Sequence, residues 1–264
     1  MDVNVLLSIF VAYLLAAGLQ FLLWRHTVKS ANAGWVDLGW TLGMAFGMMS
    51  AQAFLPFSPR GVFVGGVVLF WSLRLAAHIY VDRLRGGKPE DGRYVNLRGH
   101  WGEQADRKFF FFFQGQALLV PIFMLPPIAV ILRPGAFPDV FDLLGLLIAF
   151  GAIAGESLAD RQLARFRQNP ENKGKVCQSG LWRYSRHPNY FCEWLHWTSY
   201  VVWSMGSPLA PLAWIGMILM YLFLRYLTGI PHTERQSLQS RGEAYRTYQQ
   251  TTNVFFPWIP QKPS

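Results

Sequence analysis

Of 264 residues, 52% are apolar, 16% aromatic and only 15% charged, and the net charge is +9. Soluble domains carry about a quarter charged residues, so this balance excludes an ordinary soluble protein and points to an all-α, polytopic membrane protein. The two cysteines, Cys177 and Cys192, imply neither a disulfide framework nor a zinc site.

Runs of about 20 apolar residues, the length that crosses ~30 Å of hydrocarbon, begin at residues 3–24. That run has no basic segment before it, and its apolar core exceeds the ~7 to 15 residues of a signal peptide, so it is expected to stay attached. The second run, 34–55, repeats Gly39, Gly43 and Gly47 every four residues, a small-residue face suited to close packing on a neighbour. The third is 61–81. The fourth, 109–132, opens on Phe109 to Phe113, read as an interfacial aromatic belt, and carries Pro121, Pro126 and Pro127, which are expected to kink the helix and free carbonyls. Runs at 140–159, 189–206 and 208–230 bring the expected count to seven.

The basic residues test that count. Segments following the first, third, fifth and seventh runs carry two, seven, seven and four of them, 20 of the 24 Lys and Arg, whereas the opposite side carries only Arg60 and Arg133. Because positive charge collects on the cytoplasmic side, the N-terminus is expected outside and the C-terminus in the cytoplasm. Three polar segments, 82–108, 160–188 and 231–264, are too short for cores of their own and are expected to cover the cytoplasmic ends of one seven-helix domain, 1–264. The net charge then belongs to topology and anionic headgroups; no nucleic-acid fold signature accompanies it, so no nucleic-acid partner is expected.

Ionisable groups inside the runs cost at least ~2.5 to 3.5 kcal/mol each and so mark candidate sites. Asp37, Arg74, His78, Glu156, Glu193 and Arg225 are of this kind. Arg74 and Arg225 equally suit pairing within the bundle. Asp37, Tyr80, Glu156, Asp160 and Glu193 all fall at the cytoplasmic ends of their runs, with Glu156 and Asp160, and Asn189 and Glu193, spaced i and i+4. Arg167 and the arginines of "LWRYSRHPNYFCEW" (181–194) follow. Carboxylates that accept hydroxyl and amide protons, beside arginines that grip phosphates, complement a nucleotide. No glycine-rich phosphate loop of the Rossmann or Walker type is present, so helix ends and loops would have to hold it. No H-x-x-x-H or C-x-x-C pair exists, and no metal is expected.

Four segments, "SGLWRYSRHPNYFCEW" (179–194), "ESLADRQLARFR" (156–167), "EDGRYVNLRGHWG" (90–102) and "RGEAYRTYQQTTNVFFPWIP" (241–260), together resemble the bacterial relatives of steroid 5-alpha-reductase. The resemblance covers essentially the whole chain. "RHPNY" with a following Glu is shared more widely, including with isoprenylcysteine and phospholipid methyltransferases. The resemblance implies seven helices in the bacterial inner membrane, with NADPH as cofactor, a hydrophobic steroid or related enone as substrate, and reduction of the C4–C5 double bond of a 3-oxo steroid; a monomer is expected, with the oligomeric state left open by the sequence.

By that resemblance Asp160, Arg167, Tyr184, Asn189 and Glu193 contact the cofactor, with Glu156 at a position where the mammalian enzymes have Asn. Arg83, Arg93, Arg183, Arg186, His187, Tyr190, His232 and Tyr245 complete the cofactor set. Tyr80 of "IYVDR" and the carboxyl of Asp37 are the expected donors to the substrate carbonyl. Tyr184 and Tyr190 equally suit interfacial anchors, and His187 a bond to a backbone carbonyl. The competing enzyme reading is an S-adenosylmethionine-dependent membrane methyltransferase, which the shared "RHPNY" and the Glu/Tyr-rich 234–248 segment permit. A non-catalytic sterol-binding or scaffold protein is the third.

Overall fold

The computed structural model describes residues 2–261; Lys262, one of the basic residues counted for topology, lies outside them. Among the described residues the regular structure is all helical, with no strand. Ten α-helices follow in order: α1 (Val3–Ser30), α2 (Trp35–Phe54), α3 (Pro59–Ile79), α4 (Gly92–Trp101), α5 (Ala105–Ile131), α6 (Val140–Gln168), α7 (Pro188–Trp203), α8 (Ala210–Leu222), α9 (Ile230–Arg241) and α10 (Glu243–Thr251). α3 and α8 each run on into one π-helical turn, Tyr80–Leu84 and Phe223–Leu227. Each of the seven apolar runs contains a helix. Among the described residues five helical runs are long and apolar enough to cross a bilayer: Val3–Ser30, Pro59–Leu84, Gly92–Ile131, Val140–Gln168 and Ala210–Arg241. The protein is thus of multi-pass membrane type. α2 falls short of those limits because polar residues and glycine interrupt its apolar run, and α7 because it is only 16 residues long.

The chain divides into two compact units, the first comprising residues 1–139 and 204–215, the second 140–203 and 216–264. In the first, α2 packs against α1, α3 and α5. The glycine face makes this possible. A methyl group on Gly39 would meet Gln20 and Leu23 of α1 at 2.7 Å, and one on Gly43 or Gly47 would meet Val120 or Met124 of α5 at 3.0 and 3.1 Å. Gly43→Leu is therefore expected to force α1 and α5 off α2, overpacking that costs about 1–3 kcal/mol or more; a lowered melting midpoint in detergent would register it. Buried polar side chains bridge the same helices: Gln20 Nε2 donates to the Val36 carbonyl at 3.1 Å and Ser50 Oγ to the Ser8 carbonyl at 3.0 Å. In an apolar surrounding these bonds are stabilising because the alternative is an unpaired polar group.

The phenylalanine run corrects its sequence reading. Phe109 and Phe113, one helical turn apart, are both fully buried in a cluster with Ala33, Val36 and Tyr94, and Arg98 lies 4.8 Å over the Phe109 ring. Phe111, on the opposite face, is exposed. A 3.6-residue period sends neighbouring rings to different environments, so the run is half core and only in part an outward surface. Arg60 and Arg133 are likewise buried. Arg133 holds Asp139 through two bonds of 2.7 and 2.9 Å, and Arg60 donates to the carbonyls of Arg133 and Ala136, closing the 132–139 turn.

In the second unit α6 and α7 run antiparallel. Trp203 at the end of α7 donates to Asp142 near the start of α6 at 2.8 Å, while Asn189 at the start of α7 reaches Asp160 late in α6. Gly145 and Gly155 supply the close approach, since a methyl there would meet Trp203 at 2.5 Å or Cys192 at 2.8 Å. α9 stops at Gly242, whose φ of 52° is open to glycine without strain, and α10 starts from the same residue.

Candidate functional site

In the first unit the predicted residues converge on the N-terminal turn of α2. Asp37 accepts from Arg83 Nη1 at 3.0 Å, from Arg93 Nη2 at 2.9 Å and from Tyr94 Oη at 2.7 Å. All three partners are donors, so the Asp37 carboxyl stands here as an acceptor. Asp91 flanks it, capping α4 through the Arg93 amide at 2.9 Å and accepting from Arg93 Nε at 3.2 Å. Burial works to raise the Asp91 carboxyl, but the charge and hydrogen bonds of Arg93, with the charge of Arg83, outweigh it and hold it below its ordinary value.

Tyr80 opens the π-turn that also carries Arg83. Its side chain is exposed and its ring stands 6.4 Å from Trp35. A π-turn inserts an extra residue into the helix and re-aims the side chains on it, a device frequent at functional sites. Lys88 Nζ caps this turn by donating to the carbonyls of Val81 and Asp82 at 2.9 and 2.8 Å.

In the second unit the "RHPNY" segment does two things. Its Asn189 donates to Asp160 Oδ1 at 3.2 Å, and its Tyr190 hydroxyl meets Thr233 of α9 at 3.2 Å. Glu193, one turn on, is buried and accepts from Trp197 Nε1 at 3.0 Å. Glu156 is buried in α6 one turn before Asp160, whereas Arg167, Arg183 and Tyr184 are exposed and His232 is partly so.

Arg186 and His187 face α9 and the C-terminal segment. The buried Arg186 donates through Nε to Glu234 at 2.6 Å and through Nη1 to the carbonyls of Gln249 and Thr252. Glu234 further accepts from Gln249 Nε2 at 3.0 Å and from Tyr245 Oη at 3.4 Å. His187 is stacked on Tyr190 with its Nε2 3.4 Å from Glu234. Backbone bonds extend the clasp: Arg186 N to the Asn253 carbonyl at 2.9 Å, Ser185 Oγ to that of Phe255 at 2.8 Å, and Trp258 N to that of Tyr184 at 2.9 Å. A cavity of about 310 Å³ opens beside Arg186, lined by residues 249–254, Ile259 and Gln261; Asp160, Asn189 and Glu193 do not line it.

Glu234, Thr233, Tyr94 and Asp91 are partners that sequence reasoning does not assign to the site. Glu234 alone carries a signal, as an acid just past the last apolar run, but its partner Arg186 is 48 residues away.

These surroundings set a pH dependence. His187 precedes the apolar run 189–206, and Glu234 lies in the polar last part of the helical run Ala210–Arg241, past its apolar stretch 208–230, so both titrate outside the hydrocarbon. Burial would raise the Glu234 carboxyl, yet the hydrogen bonds from His187 and Arg186 and the charge of Arg186 hold it down to about 2. Burial lowers His187, with Glu234 offsetting it only in part. Both groups are lowered on folding, so their contributions are complete above their unfolded values of 6.5 and 4.5 and are lost as pH falls. The melting midpoint is expected to be level near neutrality, to decline below pH 6.5 and to fall further from pH 4.5 towards 2. Glu234→Gln should lower the neutral plateau and flatten the lower limb; a profile unchanged by it would refute the assignment.

The family described as "Protein of unknown function (DUF1295)" matches residues 23–252. Over 278 aligned residues the chain is 26% identical to an uncharacterized protein of Schizosaccharomyces pombe, covering 94% of this chain and 79% of that one. No solved structure matches.

Proposed function

The chain belongs to the DUF1295 family, and from that premise we propose that it is a seven-span membrane reductase, with its N-terminus outside, that uses NADPH to reduce the carbon–carbon double bond of a 3-oxo-Δ4 steroid or related enone. The observation that carries the reading is the Asn189–Asp160 hydrogen bond, which joins two of the segments on which the reductase resemblance rests. Neither segment alone is specific. Their pairing at 3.2 Å brings the two segments to one place, which supports a shared cofactor-binding role.

The residues present fit such a cofactor chemically. Asp160 and Asn189 offer an acceptor and an amide at one place, and the exposed guanidinium of Arg183 offers the fork that phosphate takes. When bound, the cofactor supplies a hydride to the β-carbon of the enone. The protein's part is to meet the negative charge that builds on the carbonyl oxygen. Tyr80, exposed on its π-turn, donates a hydrogen bond to that oxygen. Asp37 takes a positioning role in this reading: through Arg83 it holds the π-turn, and through Arg93 and Tyr94 it holds α4. Arg186 and Glu234 position the loop that leads into α7.

The test is made on detergent-purified full-length protein supplied with NADPH and progesterone or testosterone. Loss of nicotinamide absorbance matched by a product two hydrogens heavier is the expected result. No turnover, together with binding of S-adenosylmethionine, would replace the proposal with the methyltransferase reading.

A further inference from the structure

The C-terminal segment 254–261 is irregular, yet it is pinned. Trp258 N bonds the Tyr184 carbonyl, Gln261 N bonds the Thr251 carbonyl at 2.8 Å, and Ser185 Oγ holds the Phe255 carbonyl. Pro257 and Pro260 stiffen the stretch further. Phe255 turns inward and is buried, whereas Phe256, Trp258 and Ile259 are 51, 68 and 74% exposed. Single exposed hydrophobic residues are ordinary on any protein. Three of them on four residues of bonded backbone that cannot collapse inward need an apolar neighbour.

Its surroundings identify that neighbour. The Phe256 ring packs at 5.6 Å from Trp194 of α7 and 6.4 Å from Tyr221 of α8. From Tyr221 the exposed apolar surface continues over Ile218, Leu222 and Tyr226 of a helical run apolar enough to span a bilayer. The outward face of the strap is therefore continuous with a lipid-facing surface, and it ends in a tryptophan with the exposed Arg183 next to its anchor Tyr184. Trp at the headgroup level, an aliphatic tip and a nearby cation are the chemistry of the membrane interface.

We propose that segment 254–261 is a rigid interfacial strap whose Phe256, Trp258 and Ile259 side chains insert into the bilayer just below the phospholipid headgroups, so that the membrane itself holds the 181–187 loop in place. The occupant is lipid, not a second copy or a soluble partner, because the patch is small and runs unbroken into a spanning helix.

The experiment places a nitroxide label at Ile259→Cys, and separately at Phe256→Cys, in full-length protein with Cys177→Ser and Cys192→Ala, reconstituted in phosphatidylcholine–phosphatidylglycerol vesicles. A label at Ala244→Cys, on the exposed face of α10 and away from the cavity beside Arg186, is the water reference. Both strap labels are expected to collide with a water-soluble nickel chelate at least about threefold less than the reference, and more with dissolved oxygen, as side chains ~5 to 10 Å into the interface do. Either strap label matching the reference overturns the proposal. The readout is independent of enzymatic activity.

Discussion

Arg186→Ala is expected to release the C-terminal clasp and to be the most destabilising single change in the second unit. Glu234 would lose its guanidinium partner while staying half-enclosed, and the carbonyls of Gln249 and Thr252 would lose their donor. Removing one partner of a buried pair costs about 3–5 kcal/mol. A lowered melting midpoint and rapid proteolysis beyond residue 241 would report it. Arg186→Lys should rescue little, because a single ammonium cannot serve Glu234 and two carbonyls in the same fork geometry. If the alanine variant melts like the parent, the clasp is not what holds this segment.

Tyr80→Phe carries the largest expected effect on the proposed reaction. Loss of one donor to a developing oxyanion costs about 10² to 10³ in rate. The fold should not notice the change, since the Tyr80 side chain is exposed and its ring contact with Trp35 survives in phenylalanine. The dissociation constant for NADPH and the melting midpoint should stay level while kcat falls. Asp37→Asn provides the contrast. It removes the charge shared by Arg83 and Arg93, so stability and rate should fall together. Equal loss of NADPH binding and turnover in Tyr80→Phe would sink its catalytic role while leaving the test with progesterone to decide the reaction itself.

Much of the scaffold is legible in the amino-acid sequence. The apolar runs are governed by hydrocarbon thickness, which sequence reports directly, and the four-residue spacing of Gly39, Gly43 and Gly47 implies one close-packed face whatever the neighbour. The pairings are not legible there. Asp37 finds Arg93 and Tyr94 across 56 and 57 residues, and Arg186 finds Glu234 across 48. Each of these residues looks, in sequence, like a free charge awaiting a ligand; which charges satisfy one another depends on distances that only the fold sets. The phenylalanine run misleads for another reason. Its composition suggests a uniform belt where periodicity decides, and one turn of helix sets buried Phe109 and Phe113 apart from exposed Phe111.

The two π-turns have a consequence for engineering and for comparing relatives. A π-turn is an α-helical turn carrying one surplus residue, so removing a single residue from Tyr80–Leu84 or Phe223–Leu227 would restore regular winding there while leaving what precedes and follows it in nearly the same orientation. Relatives lacking the surplus should show one-residue gaps in the last turns of otherwise ungapped helices. In such relatives Arg83 and its counterparts would point elsewhere, and an alignment that closes the gap in the wrong turn would assign Tyr80 to the wrong position.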